Sequence, residues 1–247
     1  MFSNLYISDI TFKEDISDSK GYITSIPFVK TMSAIKLRKP VTFFVGENGT
    51  GKSTLLEAIA ISAGFNAEGG SRNFNFSTYS SHSDLYKYIR LSKGIKKPKD
   101  GYFLRAESFY NVASQIEKLD SQGGGPAIKD SYGGKSLHEQ SHGESFLSLV
   151  LNRLGGNGLY IFDEPEAALS PSRQLTLLAQ INHLVLKNSQ FIIATHSPII
   201  MTYPNAEIFL LDEKGIRPVS YEQTEHYILT RQFLNNPRQM MKYLFED

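Results

Sequence analysis

Short apolar runs separated by amphipathic or polar stretches set the framework of this chain. Val41–Val45, Leu159–Phe162 and Phe191–Thr195 are almost wholly apolar and rich in β-branched and aromatic residues. Strands covered on both faces read this way, without the alternation of a half-exposed strand. Helical stretches lie between them. Thr54–Ala60 starts a helix that ends near Gly64, Glu144–Leu154 is an apolar helix, and Pro171–Leu186 is another. Strands alternating with helices predict an α/β fold with a largely parallel sheet.

The rest of the pattern is less regular. Leu5–Phe12 and Tyr22–Val29 are predicted strands, with Asp15–Gly21 as the turn between them. Leu85–Leu91 and Tyr102–Ala106 are predicted strands on either side of a lysine-rich turn, and Asn111–Leu119 is a predicted helix. Ile208–Leu211 and Ile216–Ser220 form a hairpin around Lys214-Gly215. A helix over Thr224–Leu234 follows, then Asn236 caps a short last helix with Pro237 in its first position. Asn66–Ser83 and the glycine-rich Ser121–Gly134 read as loops, the second as a mobile one. There is no internal repeat.

Composition narrows the classes. The 247 residues suffice for one large or two small domains. Cysteine is absent, which excludes disulfides and thiolate metal sites. The net charge of +1 supplies no global field for nucleic acid. The one basic run, Lys93–Lys99, is either a solvated hairpin tip or a local patch. No apolar stretch approaches the roughly 20 residues of a membrane span. The start, Met1-Phe2-Ser3-Asn4-Leu5, lacks the features of a signal peptide, so a soluble cytoplasmic protein is expected.

Three of the buried strands deliver chemistry at their ends. Val41–Val45 runs into Gly46-Glu47-Asn48-Gly49-Thr50-Gly51-Lys52-Ser53, which fits the P-loop pattern G-x-x-x-x-G-K-[ST]. Such a loop wraps backbone N–H groups around phosphate oxygens at a helix N-terminus. Lys52 is then the phosphate-binding cation and Ser53 a Mg²⁺ ligand, while Asn48, Gly49, Thr50, Gly51 and Thr54 complete the cradle. Leu159–Phe162 ends in Asp163-Glu164, which suits one carboxylate to hold Mg²⁺ and the other to polarise a water. Phe191–Thr195 ends in His196, which either contacts a γ-phosphate or attacking water, or packs as an ordinary strand-end histidine. Upstream, Ser141-His142-Gly143-Glu144-Ser145 opens an apolar helix. Ser141 and Gly143 there could face an anion, or Ser141 could be a plain N-cap.

The order of these motifs resembles that of the ATP-binding-cassette ATPases, over about residues 2–220. Gln140-Ser141-His142-Gly143-Glu144 keeps the serine and second glycine of the family signature, and Glu166-Ala167-Ala168-Leu169-Ser170 sits where the D-loop belongs, with Ser170 in place of its usual aspartate. Thr195-His196-Ser197-Pro198 and Ser141-His142-Gly143-Glu144 are more similar to soluble RecF- and OLD-like AAA-family ATPases than to transporter subunits. The resemblance implies one P-loop NTPase domain spanning 1–247. It would have a largely parallel core sheet, an antiparallel β subdomain from 1–40 and 85–106, a helical signature region over 111–158, and C-terminal helices over 221–247. It implies an ATP hydrolase using ATP and Mg²⁺, with Glu164, His196 and Lys52 as catalytic residues. It also implies an ATP-dependent homodimer, in which Ser141 and Gly143 of one copy cap ATP held by the other, acting on a separate effector or partner protein.

In the family a glutamine follows the strand that here ends Leu104-Arg105-Ala106-Glu107-Ser108. Arg105 could replace it toward phosphate or structure, and Glu107 toward Mg²⁺ or its waters. Glu107 is therefore counted with Ser53 and Asp163 as a candidate metal ligand. Tyr22 and Phe28 are the aromatics placed to stack on adenine, or else to fill the core. DNA maintenance and anti-phage defence are the settings the resemblance suggests, and a transporter's nucleotide-binding subunit is the alternative. No nuclease-like acidic cluster and no long heptad insertion between Ser53 and Ser141 is present, which excludes a long-armed SMC-type protein.

Overall fold

A computed structural model describes residues 5–13, 16, 22–31, 34–72, 83–105, 109–122, 128–134 and 140–245. The first half runs through β1 (Ile7–Phe12), α1 (Tyr22–Ser25), β2 (Ile35–Lys36), β3 (Val41–Val45), α2 (Lys52–Ala63), β4 (Gly70–Ser71), β5 (Ile89–Lys93) and β6 (Asp100–Arg105). The second half adds α3 (Phe109–Gln122), α4 (His142–Ser148), β7 (Gly158–Asp163), α5 (Pro171–Leu186) and β8 (Gln190–Ala194). It closes with β9 (Glu207–Asp212), β10 (Gly215–Val219), α6 (Glu225–Asn235) and α7 (Pro237–Phe245).

Seven strands form the main sheet in the order β10-β9-β3-β8-β7-β6-β4. The five inner strands, β9, β3, β8, β7 and β6, are parallel, and β10 and β4 close the edges antiparallel. Side chains alternate between two cores. Phe44, Phe103, Ile161, Ile192 and Ala194 pack with α2 and the small sheet. Phe43, Leu104, Phe162, Phe191 and Ile193 face α3, α4 and α5. Both faces are covered, which is why these strands carry unbroken apolar runs. The largely parallel core sheet and the separate antiparallel sheet, β2-β1-β5, are as expected for the α/β fold.

One side chain joins the two sheets. Gln190, at the start of β8, is buried. Its Oε1 accepts the N–H groups of Tyr6 and Ile7 at 2.8 and 2.9 Å, and its Nε2 donates to the Ile7 carbonyl at 2.9 Å. The amide therefore satisfies backbone groups at the start of β1.

Several local expectations are corrected. Tyr22–Val29 is not a strand: it forms α1 and a 3-10 turn over Pro27–Thr31. Ile23, Ile26 and Phe28 are buried there, Ile26 and Phe28 against Gly51 of the P-loop, and this burial overrides their β propensity. Leu85–Leu91 begins as a 3-10 turn over Asp84–Tyr88, capped by Ser83 Oγ, and extends only from Ile89. The stretch expected in the β subdomain divides between sheets, β5 to the small one and β6 to the main one, and residue 106 lies outside the described residues. The lysine run 93–99 thus links two sheets and is not a hairpin tip. The helix expected over Glu144–Leu154 starts at His142 and passes into one π turn over Leu149–Arg153. Within Ser121–Gly134, Ser121 and Gln122 end α3, Ile128–Tyr132 is a 3-10 turn, and residues 123–127 lie outside the described residues. Most of the expected Asp15–Gly21 turn and residues 73–82 also lie outside them.

Gln190→Leu keeps the volume but strands two N–H groups and a carbonyl in the core. It is expected to lower stability by about 3 kcal/mol. A urea midpoint within error of the wild type would show that the two sheets are not joined in this way.

Candidate functional site

The P-loop follows β3 directly and turns on glycines. Gly46, Gly49 and Gly51 have φ of 146°, 80° and 91°. At Gly46 a Cβ would lie 2.2 Å from the Leu211 carbonyl, and at Gly51 2.6 Å from Ile26 and 2.8 Å from Phe28. Both positions therefore require glycine on two counts. Gly51 caps α2 without a side chain, so the first N–H groups of α2 are left for a ligand. Asn48 and Gly49 are exposed, Thr50 and Thr54 half-buried, and Thr50 Oγ1 donates to the Glu47 carbonyl at 2.9 Å. Phe28 is fully buried under the loop, whereas Tyr22 is exposed. Of the two aromatics, only Tyr22 has a face open to a base.

Lys52 is buried at 4% exposure. Its ammonium donates to the carbonyls of Gly46 at 2.9 Å and Glu47 at 2.7 Å. Burial lowers its pKa, and the carboxylates of Glu164, Asp163 and Glu166 oppose that shift.

The C-terminal ends of β3, β8, β7 and β6 meet at one edge. Phe44 registers with Ala194, Ala194 with Asp163, and Asp163 with Arg105. Ser53 Oγ, one residue into α2, donates to Asp163 Oδ1 at 3.1 Å. Asp163 is buried, and Arg105 Nε lies 3.8 Å from its other oxygen. Arg105 Nη1 also bonds Glu57 Oε2 at 2.6 Å. Arg105 is thus tied into the site from the strand where a glutamine was expected, and Glu107 lies outside the described residues.

Among the described residues no three His, Asp or Glu side chains cluster as a metal cage. A nucleotide-bound Mg²⁺ needs none, because it takes one or two protein oxygens and completes its shell with phosphate and water. The hard oxygens of Ser53 and Asp163, already together, fit that demand.

Glu164 turns the chain at the end of β7 with φ 50° and ψ 54°. This left-handed backbone is strained for a residue with a Cβ, at roughly 1 kcal/mol. Its N–H is held by the Ala194 carbonyl at 3.0 Å, while its side chain stays 42% exposed. Glu164 Oε1 lies 3.6 Å from His196 Nε2. The half-buried Glu166 accepts the His196 backbone N–H, and desolvation raises its own pKa. His196 is drawn down to about 4 by burial, the Lys52 cation and His226.

Ser141 and Gly143 open α4, which packs beside the turn that follows Glu164. Ser141 forms a complete capping box on α4 with Glu144. Its hydroxyl donates to Glu144 Oε2 at 2.7 Å and is exposed. Gly143 is buried, and a Cβ there would lie 2.5 Å from Arg173 Nη1 and 2.6 Å from the Ala168 carbonyl. The structure brings Lys52, Ser53, Asp163, Glu164 and His196 together. Ser141 is a capped, exposed helix start.

His226 was not foreseen. It comes from α6, and its Nε2 lies 2.9 Å from His196 Nδ1. No motif spacing pairs a histidine in a C-terminal helix with one at a strand end. A cavity of about 490 Å³ opens between the P-loop at Gly46, Glu47 and Thr50 and α6 at Glu225, His226 and Leu229.

Stability should carry the mark of the neutral histidines. An unfolded imidazole takes a proton near pH 6.5, whereas folded His196 does so only near 4. Between these values the unfolded chain binds more protons, so stability falls as pH drops from about 6.5 toward 4. His226 is shifted in the same direction by burial. Thermal melts of His196→Gln across this window should show a shallower decline than the wild type. Parallel declines would remove His196 as a cause.

Residues 25–151, just over half of the chain, match a family model described as an AAA domain. Residues 145–202 match a second AAA domain model, whose description also names the AbiEii toxin and a Type IV TA system. No curated protein matches the chain. Among solved structures, cbiO1 from Clostridium perfringens, part of the ABC transporter complex cbiONQ, superposes with a TM-score of 0.52 at 18% identity, covering 96% of this chain and 99% of that one. MJ1267, an ATP-binding cassette of an ABC transporter, gives 0.50 at 16% identity, with 97% and 99% covered. At such identities the likeness is one of fold. With the P-loop, the strand-end acids and the sheet order in place, the chain belongs to the AAA domain family and is an ATP-binding, ATP-hydrolysing P-loop protein with the fold of ATP-binding cassettes.

Proposed function

We propose that the chain is a Mg²⁺-dependent ATPase whose ATP-bound homodimer acts as a switch on a separate effector protein. The observation that carries this reading is the meeting of Lys52, Ser53, Asp163, Glu164 and His196 at the ends of three adjacent parallel strands. Asn48 to Thr54 cradle the phosphates, and Lys52 exchanges its loop carbonyls for β- and γ-phosphate oxygens. Ser53 and Asp163 would hold Mg²⁺, which would neutralise phosphate charge. Glu164, exposed at its strained turn, orients and polarises the attacking water. His196 Nε2 faces the same point and donates to the γ-phosphate. Positioning and electrostatics of this kind supply most of the rate in phosphoryl transfer.

The outward-facing Ser141 supports a shared site. Exposed at the start of α4, it could cap ATP bound by a second copy. Loss of the γ-phosphate would then loosen the dimer, a two-state switch driven by differential contacts. We read residues 1–247 as one ATPase domain serving this switch. The toxin–antitoxin description on the second family match favours a defence setting over DNA maintenance. The likeness to cbiO1 supports the other reading, a transporter's nucleotide-binding subunit. Among the described residues no helix is long and apolar enough to cross a membrane, so that reading needs a membrane partner. Recovery of the tagged chain with a membrane protein would favour it.

Lys52→Ala should lose ATP binding, measured by titration of a fluorescent analogue. Glu164→Gln should bind ATP yet release phosphate at least ~100-fold more slowly, the lower range for a general base. Turnover near the wild-type rate in Glu164→Gln would sink the assignment.

Sedimentation of Glu164→Gln should show a dimer with ATP and a monomer with ADP. Ser141→Arg should abolish the dimer and leave ATP binding intact. A dimer unchanged by nucleotide or by Ser141→Arg would exclude the shared site.

A further inference from the structure

His226 lies outside the machinery described above, yet its place is tightly built. Thr224, the residue before α6, is fully buried, and its hydroxyl donates to the Tyr221 carbonyl at 2.7 Å. The Tyr221 hydroxyl in turn donates to the Pro198 carbonyl at 2.8 Å, two residues beyond His196. The start of α6 is therefore fastened to the loop that carries His196. The two imidazoles meet edge to face, with ring centroids 4.9 Å apart at 63°.

The shared bond between His226 Nε2 and His196 Nδ1 holds one proton, and two arrangements are open. If His196 Nδ1 carries it, His196 Nε2 is bare and faces the Glu164 carboxylate 3.6 Å away, lone pair against anion. If His226 Nε2 carries it, His196 Nε2 bears the hydrogen and directs it at Glu164. The second arrangement is electrostatically favoured, because an ionised carboxylate only accepts. His196 Nε2 is moreover buried with no hydrogen-bond partner in the described chain. A buried, unsatisfied donor at a phosphate site calls for an acceptor from a ligand. Burial and the nearby Lys52 cation keep both rings neutral, so the tautomer is a real choice.

We infer that His226 is a positioning residue, which donates from Nε2 to His196 Nδ1 and thereby holds His196 as the Nε2–H tautomer aimed at the γ-phosphate site. This rests on the ATPase reading for its consequence, but the tautomer itself does not depend on nucleotide. It also makes the first turn of α6 part of the apparatus that sets the hydrolysis rate.

The first test is ¹⁵N spectroscopy of histidine-labelled, nucleotide-free protein, with the two rings identified from His196→Gln and His226→Phe. His196 should carry its hydrogen on Nε2, and His226→Phe should remove that preference. An Nδ1–H tautomer for His196 in the wild type overturns the proposal. The second test is kinetic. His226→Phe should lower kcat for ATP about tenfold, the weight of one hydrogen bond, with KM changed less than about twofold. His226→Gln, whose amide N–H replaces the donor, should recover most of the loss. Equal losses in the Phe and Gln variants, or a loss confined to KM, overturn the positioning role. Failure of the ATPase reading would look different. The wild type would release no phosphate, and the spectra alone would then uphold or overturn the tautomer.

Discussion

Asp163 can meet Ser53 only because β3, β8 and β7 end level with one another. Phe44, Ala194 and Asp163 stand in one row across the sheet, and the 3.1 Å contact between Ser53 and Asp163 spans the strand between them. A slip of one residue in either pairing would turn every side chain of the moved strand to the opposite face. Asp163 would then point into an apolar core and Phe162 into the site. The slip is prevented by burial on both faces, since it would exchange the contents of two packed cores at once. The register that gives the site its geometry is thus enforced by residues that have no part in its chemistry.

The same edge concentrates charge where solvent is scarce. Lys52, Glu57 and Asp163 are all buried, and Arg105 is nearly so. Each unpaired would be costly, so the arrangement stands or falls as a set. Arg105 closes it. One end of its guanidinium bonds Glu57 and the other approaches Asp163 Oδ2, which leaves Oδ1 turned toward Ser53. A glutamine at this position could not neutralise Glu57. The departure from the ATP-binding-cassette pattern at this strand end is consistent with a partner charge on α2 that this chain, with Glu57, has to satisfy.

Much of this was legible because it is written locally. The glycines of the P-loop, the apolar run before each strand-end acid, and Pro237 after Asn236 act within a few residues of where they stand. What was not legible depends on contacts distant in sequence. Tyr22–Val29 has the composition of a strand, but Phe28 is claimed by the underside of the P-loop, and Gly51 leaves the space for it. The chain between β5 and β6 reads as a hairpin turn, yet β6 finds β7 as its partner, far along the sequence. The bond between His196 and His226 joins a strand end to a helix that only tertiary packing brings near. Gln190 likewise carries no mark in the sequence, because its partners are backbone groups of Tyr6 and Ile7.

Lys52 shows how a buried cation is held by its own chain. A buried ammonium with no acceptor would either lose its proton or leave the pocket. Here the Gly46 and Glu47 carbonyls hold it, and three carboxylates favour its charge. On the proposed reading, phosphate binding at Lys52 would not create a new buried cation. It would replace neutral acceptors by charged ones around a cation already desolvated, and hydrogen bonds between two charged groups are roughly twice as strong as neutral ones. The desolvation cost was met when the chain folded, and the register of the sheet keeps it met. The gain on binding ATP then falls mainly on the phosphate groups, which separates a nucleotide triphosphate from a nucleoside that offers only its base and sugar.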